Sequence, residues 1–459
     1  MIFMAKKYRT YQPNQEYLLP PNIHDWLPEN HLAYFISETV DNLDLSEIFK
    51  YYEQSDRGNP PYHPSMMTKV ILYAYCVGTP SSRKIDKALE EDVPFRVLGA
   101  GNFPDFRTIS EFRRIHLESL SSLFIQVLEL CEEAGMVKLG VVALDGTKMK
   151  ANASMDKNRK HKKLTEEEER LEKIVKEMFE QAENIDDEED RIYGPTNRGD
   201  EVPKGFRTRK ERLERIRKAK KDLEKTQREK QEIYEKMIYE RKKKEEETGK
   251  KLRGRKPKKI EDINENKTVA NTTDPESRIM KTRKSFIQGY NAQAGVDCES
   301  QVIVAAAVTQ EQNDKHQLVS MLNLIRENMG RNPKNTIEDA GYWNQDQINK
   351  VDKEIELFIA TDKDWKQREK LRRLPPPRGR IPNNLSLKDR MERKLLTKRG
   401  KAIYKMRGCT IEPAFGQIKD SRGLNKFLLR GLNKVNGEWN LICITHNILK
   451  LWKKTTAFC

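Results

Sequence analysis

The sequence predicts an α/β protein whose sheet core follows a helical domain and is interrupted by a long, charged helical insertion. Three observations carry this. Two short β-branched apolar runs, residues 139–147 and 336–342, contain acids near their ends. Apolar residues at helical spacing fill most of the first 135 positions. From about 156 to 267 charges of both signs replace that pattern. The chain of 459 residues is long enough for several domains. With 87 Lys+Arg against 71 Asp+Glu it carries a net charge of +16. Such a surplus points to a polyanion, and nucleic acid is the default one. No apolar run reaches the ~18–20 residues of a membrane span. The start, MIFMAKKYRTYQ, lacks the apolar stretch of a secretory leader. The six cysteines are scattered and form no CxxC pair, so neither a zinc site nor a disulfide framework is indicated, and a cytoplasmic protein fits best.

The first domain, residues 1–135, reads as helices. Pro64 suits the first helical position ahead of the apolar run 66–76, and Gly78 and Pro80 stop it. Short helices fit 82–89 and 93–98 before the breakers Gly99, Gly101 and Pro104. Thr108-Ile109-Ser110-Glu111 has the form of a capping box with Thr108 as N-cap. The helix it starts keeps an apolar face through Phe112, Ile115, Leu120, Phe124, Leu128 and Cys131, and Gly135 ends it. Lys84, Arg107, Arg113 and Arg114 would meet phosphates if these helices form a helix-turn-helix reader. An ordinary bundle with a solvated basic face fits the same pattern.

Residues 136–155 begin the core. The run Leu139-Gly140-Val141-Val142-Ala143-Leu144 predicts a strand buried on both faces, and Asp145-Gly146 follows it. A carboxylate held there is costly without a counter-charge, and a metal ion supplies one. Asp-Gly is also a common turn. The insertion, 156–267, predicts two helices. Thr165 caps the first, with a seam of Leu171, Ile174, Met178 and Ala182, and Gly194-Pro195 and Pro203 break it. The second carries Leu213, Ile216, Leu223, Ile233 and Met237. This coiled-coil-like hairpin is a candidate for dimerisation, DNA contact or a solvated spacer. At its exit, Arg253-Gly254-Arg255 sits in a basic run that resembles an AT-hook, with Lys256 where that motif has Pro. A narrow Arg-Gly-Arg segment can enter an A·T-rich minor groove, and a basic linker binds phosphates without reading bases.

The core resumes over 268–459. Residues 289–297 and 301–308 predict a hairpin, with Asp297 as turn acid. Asp314 reads as the cap of a helix carrying Leu318, Met321, Leu322 and Ile325, and Asp274 reads as a turn residue. A short strand ends at Asp339, with Glu338 expected on the opposite face, and residues 355–360 form another strand. The basic, proline-rich stretch 368–399 reads as loop. A helix around Glu412 and an apolar helix over 439–452 close the chain. Strand with Asp145, hairpin, helix, strand with Asp339, strand, helix with Glu412: this is the element order of a ribonuclease-H-like domain. The two aspartates would then lie on adjacent strands. Three converging carboxylates need cations, and two Mg²⁺ (or Mn²⁺) ions can support in-line phosphoryl displacement.

At this point the sequence resembles the bacterial insertion-sequence DDE transposases. The matching pieces are Leu144-Asp145-Gly146-Thr147, Gly289-Tyr290-Asn291-Ala292-Gln293, Asp339-Ala340-Gly341-Tyr342 and the terminal block. That family places Tyr, Arg, Glu and Lys at fixed spacing around its catalytic Glu, and Tyr404, Arg407, Glu412 and Lys419 fit it. The Arg-to-Glu gap is one residue longer than the commonest form. The resemblance spans about residues 8–452. It implies catalytic, metal-ligating Asp145, Asp339 and Glu412, and DNA contacts from Tyr404, Arg407 and Lys419 besides those proposed for Arg253, Arg255, Arg113 and Arg114. It also implies double-stranded DNA as partner (terminal inverted repeats and target), a homodimer on DNA, and association with the nucleoid when bound. A ribonuclease-H-like nuclease without strand transfer and a non-catalytic, domesticated DNA-binding protein are the alternatives.

Overall fold

A computed structural model describes residues 22–53, 60–193, 206–248, 257, 268–282, 285–382 and 384–456. The expected breakers Gly194, Pro195 and Pro203, and Arg253 and Arg255 of the basic run, lie outside the described residues. Contacts divide the chain into two units, one formed by Met1–His116 with Trp452–Cys459, the other by Leu117–Leu451.

The first unit is helical: α1 (Leu32–Asp41), α2 (Ser46–Glu53), α3 (Pro64–Cys76), α4 (Ser82–Glu91), α5 (Val93–Gly99) and α6 (Phe106–Ile115). Pro64 opens α3 as expected, because a missing N–H costs nothing where no intrahelical acceptor exists. Val70, Ile71, Leu72, Ala74 and Tyr75 of α3 are fully buried, so this helix is the centre of the unit. The cap expected at Thr108 belongs instead to Asp105, whose carboxylate accepts from Thr108 N at 2.7 Å. Glu111 pairs with Arg114. The single helix expected from Thr108 to Cys131 is broken at His116, where ψ is 18°. The His116 ring packs on Tyr51, Tyr52 and Phe112, and its Nε2 lies 3.0 Å from Tyr52 Oη.

Arg113 is only 5% exposed, so its charge does not reach the surface where a phosphate contact was expected. Its guanidinium donates to Tyr75 Oη (3.3 Å), Pro80 O (2.7 Å) and Ser82 Oγ (3.2 Å). Arg114 is the exposed member of the pair. Replacing Arg113 by Met would leave those acceptors without their donor, at a cost of ~1–3 kcal/mol. Thermal unfolding should shift accordingly.

The second unit begins with α7 (Leu117–Glu133) and β1 (Val141–Lys150). A two-stranded ribbon of β2 (Asn158–Lys160) and β3 (Val269–Asn271) brackets α8 (His161–Tyr193) and α9 (Phe206–Thr248). The chain thus leaves and re-enters the core through paired strands. Ion pairs Arg217–Glu172 and Lys220–Glu168 and the His161–Glu224 hydrogen-bond contact place rising positions of α9 against falling positions of α8, so the helices run antiparallel. Leu164, Leu171, Leu213, Ile216, Ala219, Leu223 and Ala270 form a small core of their own. The α9 seam ends at Leu223, because Ile233 and Met237 are 59% and 51% exposed.

The main sheet holds β4 (Arg278–Lys281), β5 (Phe286–Asp297), β6 (Ile303–Thr309), β7 (Asn335–Glu338) and β8 (Glu356–Ile359) around β1. Its order is β4-β5-β1-β7-β8, and β6 pairs with the same β5. β5 is antiparallel to β1 and β6, whereas β7 is parallel to both β1 and β8. The expected hairpin is therefore β5–β6. Asp297 at its turn accepts from Lys138 N, Leu139 N and Glu299 N, and so holds Leu139 at its positive φ of 50°.

α10 (Leu318–Met329) precedes β7, and α11 (Gln345–Ile348) precedes β8. The stretch expected as loop holds two helices, α12 (Asp364–Arg373) and α13 (Leu387–Leu396), with the prolines between them. Spacing i,i+4 explains α12: Asp364 pairs with Arg368, and Glu369 with Arg373. α14 (Lys398–Gly416) and α15 (Leu432–Thr456) complete the chain. Trp439 of α15 is fully buried and donates from Nε1 to Gln293 O. Asn447 of α15 grips Ile303 of β6 through both backbone groups. No helix among the described residues is long and apolar enough to cross a membrane.

Candidate active site

Asp145 sits within β1 rather than at its end, since the strand runs on to Lys150. The parallel ladder with β7, however, stops at Leu144↔Glu338. Asp145 and Asp339 are the next residues on each strand, so they emerge side by side where the ladder ends. Asp339 leaves the strand as N-cap of the turn Ala340–Tyr342 and accepts from Gly341 N at 2.8 Å.

Glu412 lies near the C-terminal end of α14, not at a helix start. Pro413 follows it inside that helix and has no N–H for the Cys409 carbonyl. Gln301 Nε2 takes that carbonyl instead, at 2.8 Å. A π-helical turn, Gln417–Ser421, then shifts the register. Glu412, Phe415 and Lys419 consequently do not share one face. Glu412 is largely exposed, Phe415 is buried, and Lys419 Nζ donates to Thr147 Oγ1 (3.0 Å) and Lys148 O (3.1 Å) of β1.

Arg407 is the hub. Its side chain is 7% exposed, and Nη2 lies 2.6 Å from Asp145 Oδ2 and 4.0 Å from Asp339 Oδ2. Nη1 lies 3.3 Å from Glu412 Oε1 and 3.6 Å from Asp364 Oδ1. One guanidinium thus gathers all three expected acids and a fourth that sequence reasoning missed. Arg368, expected only as part of a basic loop, bridges Asp364 and Glu412. Burial pushes the Asp145 carboxyl up to about 7, with Arg407 opposing and Asp339 and Asp314 adding to the rise. Burial likewise raises Asp339. Glu338 beside it is fully buried and pushed up to about 8, so it is mostly neutral at pH 7.

Tyr404 is buried, and its hydroxyl makes no hydrogen bond to the described residues. It lines a cleft of about 420 Å³ between α12 and α14, together with Asp364, Arg368, Leu371, Arg372, Lys401, Lys405, Arg407 and Gly408. Five of these nine residues are cationic, so the cleft beside the acids favours an anion.

The carboxylate oxygens suit a hard divalent cation such as Mg²⁺ or Mn²⁺, and burial leaves Asp145 and Asp339 short of positive charge. The fit is one of donor chemistry. Among the described residues, no three His, Cys, Asp or Glu side chains stand grouped around one ion position, and Arg407 stands between the acids instead.

Residues 21–114 match a family described as Transposase domain (DUF772), and residues 380–452 match one described as Transposase DDE domain. The two matches indicate a DNA transposase. Together they support an insertion-sequence DDE transposase, the family that the sequence resembles. The second match includes Tyr404, Arg407, Glu412 and Lys419, whereas Asp145 and Asp339 lie outside both. No curated protein and no solved structure matches the chain.

Proposed function

We propose that the protein is the transposase of an insertion sequence. It binds the element's terminal inverted repeats, hydrolyses a phosphodiester at each end, and joins the freed 3′-OH to target DNA. The observation that carries this reading is the meeting of Asp145, Asp339 and Glu412, from three distant parts of the chain, around Arg407. The strand arrangement supports a ribonuclease-H-like core: an antiparallel β6–β5–β1 set continued by parallel β7 and β8, with acids at the β1–β7 border. That core would comprise residues 136–155 and 268–459. Residues 1–135 would serve DNA binding and dimerisation, and 156–267 the arm. Pairing two DNA ends calls for a homodimer.

Two Mg²⁺ or Mn²⁺ ions held by Asp145, Asp339 and Glu412 would supply an activated nucleophile and a stabilised leaving oxygen. In cleavage, a water oxygen bonds to phosphorus, the P–O3′ bond breaks, and the 3′ oxygen leaves as a hydroxyl. In joining, that hydroxyl bonds to a target phosphorus, the target P–O3′ bond breaks, and the proton passes to the departing oxygen. The chain's own residues position the DNA. Arg368, Arg372, Lys401 and Lys405 line the cleft beside the acids and meet strand phosphates. Tyr404 lines the same cleft, with its hydroxyl buried and making no hydrogen bond to the described residues. Lys419 acts by holding β1 at Thr147, next to Asp145.

The test uses the full chain and duplex DNA carrying the sequences that flank its gene. The protein should retard these ends in the presence of excess unrelated DNA. With Mg²⁺ or Mn²⁺ it should leave 3′-OH ends and produce molecules joined to a target plasmid. Cleavage without joined product would favour a nuclease, and end binding without cleavage a non-catalytic binder.

A further inference from the structure

On one face of β5, Asn291 and Gln293 place two amides among small and apolar neighbours. Asn291 and Gln293 alternate with Tyr290, Ala292 and Ala294, and all five side chains are fully buried. A buried amide needs partners, and both of these find the same one. Asn291 Nδ2 donates to Asp314 Oδ1 at 2.7 Å, and Gln293 Nε2 donates to the same oxygen at 2.6 Å. Gln293 Oε1 in turn accepts from the buried hydroxyl of Tyr342. Asp314 is not used by its own helix: the N-cap of α10 is Gln317, which makes no side-chain capping bond.

Two glycines show where the Asp314 carboxylate lies. Gly146 directly follows Asp145, and a Cβ there would come within 2.2 Å of Gln293 Nε2 and 2.5 Å of Asp314 Oδ1. Gly341 donates its N–H to the Asp339 cap, and a Cβ there would lie 2.8 Å from Asp339 Oδ1 and 3.3 Å from Asp314 Oδ2. Asp314 therefore fills the space between the two segments that carry the acids. Lys148 Nζ, 4.0 Å from Asp314 Oδ1, makes no hydrogen bond to the described residues and offsets part of the added negative charge.

We infer that Asp314 is a positioning residue, a strut that fixes the separation of Asp145 from Asp339 through Gly146, Gly341 and the β5 amides. The inference rests on the transposase reading for its activity readout, but its geometry stands on these contacts alone.

The test compares the full-length wild type with Asp314→Ala and Asp314→Asn. Mn²⁺ affinity is measured calorimetrically without DNA, alongside end-DNA affinity, thermal unfolding and the single-turnover cleavage rate. Asp314→Ala should lower both Mn²⁺ affinity and cleavage rate by roughly 10- to 100-fold, the usual loss when a ligand's support is removed. End-DNA affinity should not change. Asp314→Asn keeps an Oδ1 that accepts from both amides and should recover most of each loss. The strut is overturned if both variants match wild type, if Asn falls as far as Ala, or if DNA affinity and thermal stability fall in step with rate. Wild-type protein that binds Mn²⁺ but does not cut would sink the transposase reading, while the titration still tests the strut. A cutting wild type with an equally active Asp314→Ala would sink the strut and leave the reading intact. A wild type that binds no Mn²⁺ overturns both.

Discussion

Asp145→Asn should abolish divalent-metal-dependent strand cleavage, by about 10³-fold or more, and leave end-DNA binding in place. A loss of that size corresponds to ~4 kcal/mol of lost transition-state stabilisation, which one metal-ligating carboxylate can supply. The fold should suffer far less. Burial pushes Asp145 up to about 7, so its charge is a cost to the folded protein and not a support for it. Asparagine keeps an oxygen that can accept from Arg407 Nη2, now bonded to Asp145 Oδ2 at 2.6 Å. Arg407 also retains Glu412 at 3.3 Å and Asp364 at 3.6 Å. Stability at neutral pH is expected to be unchanged or slightly higher, because asparagine cannot carry the charge that burial penalises. Single-turnover cleavage, gel retardation and thermal unfolding on one preparation separate these effects. Retained cleavage removes Asp145 from the active site. Cleavage, binding and stability lost together make it a structural residue.

The acids were legible in the sequence because each interrupts a pattern. Asp145 follows a β-branched apolar run, Asp339 ends a second one, and Glu412 stands in a block of fixed spacing. Adjacency of β1 and β7 followed from element order. What spacing does not carry is depth. Tyr404 and Arg407 were expected at the DNA, yet both are buried, and Arg407 faces the acids. Linear order also hid the effect of Pro413 and the π-helical turn, which move Lys419 off the Glu412 face onto Thr147. α12 was hidden for a different reason: with few apolar side chains, it is supported by charge pairs rather than by a periodic face. Asp364, its first residue, had no pattern around it. Asp314 did leave a trace. Asn291 and Gln293 break the apolar character of a strand expected to be buried, and two buried amides call for an acceptor. The sequence alone does not say which acid answers.

Arg407→Met should destabilise the second unit strongly, and by an amount that grows with pH. In the wild type Arg407 is the principal cation opposing the rise of Asp145, and it does the same for Asp339. Removing one partner of a buried ion pair costs ~3–5 kcal/mol when the stranded charge must stay charged. Here it need not. The carboxyls can take up protons, and their folded-state values then rise further above the unfolded ~3.9. A folded protein that binds more protons than the unfolded chain loses stability as pH rises through that interval. For wild-type Asp145 the interval runs from about 4 to about 7, and in the variant it extends further upward. The stability gap between wild type and Arg407→Met should therefore be small near pH 6 and approach its full size above pH 8. Denaturant midpoints at the two pH values measure it. A gap that is constant, or larger at pH 6, would show that Arg407 contributes packing rather than charge. Divalent metal adds a second arm. If Asp145, Asp339 and Glu412 accept Mg²⁺, the ion replaces the missing positive charge, and saturating Mg²⁺ should stabilise the variant more than the wild type at high pH. Equal stabilisation of both proteins would mean that Arg407 and the metal do not compete for the same carboxylates.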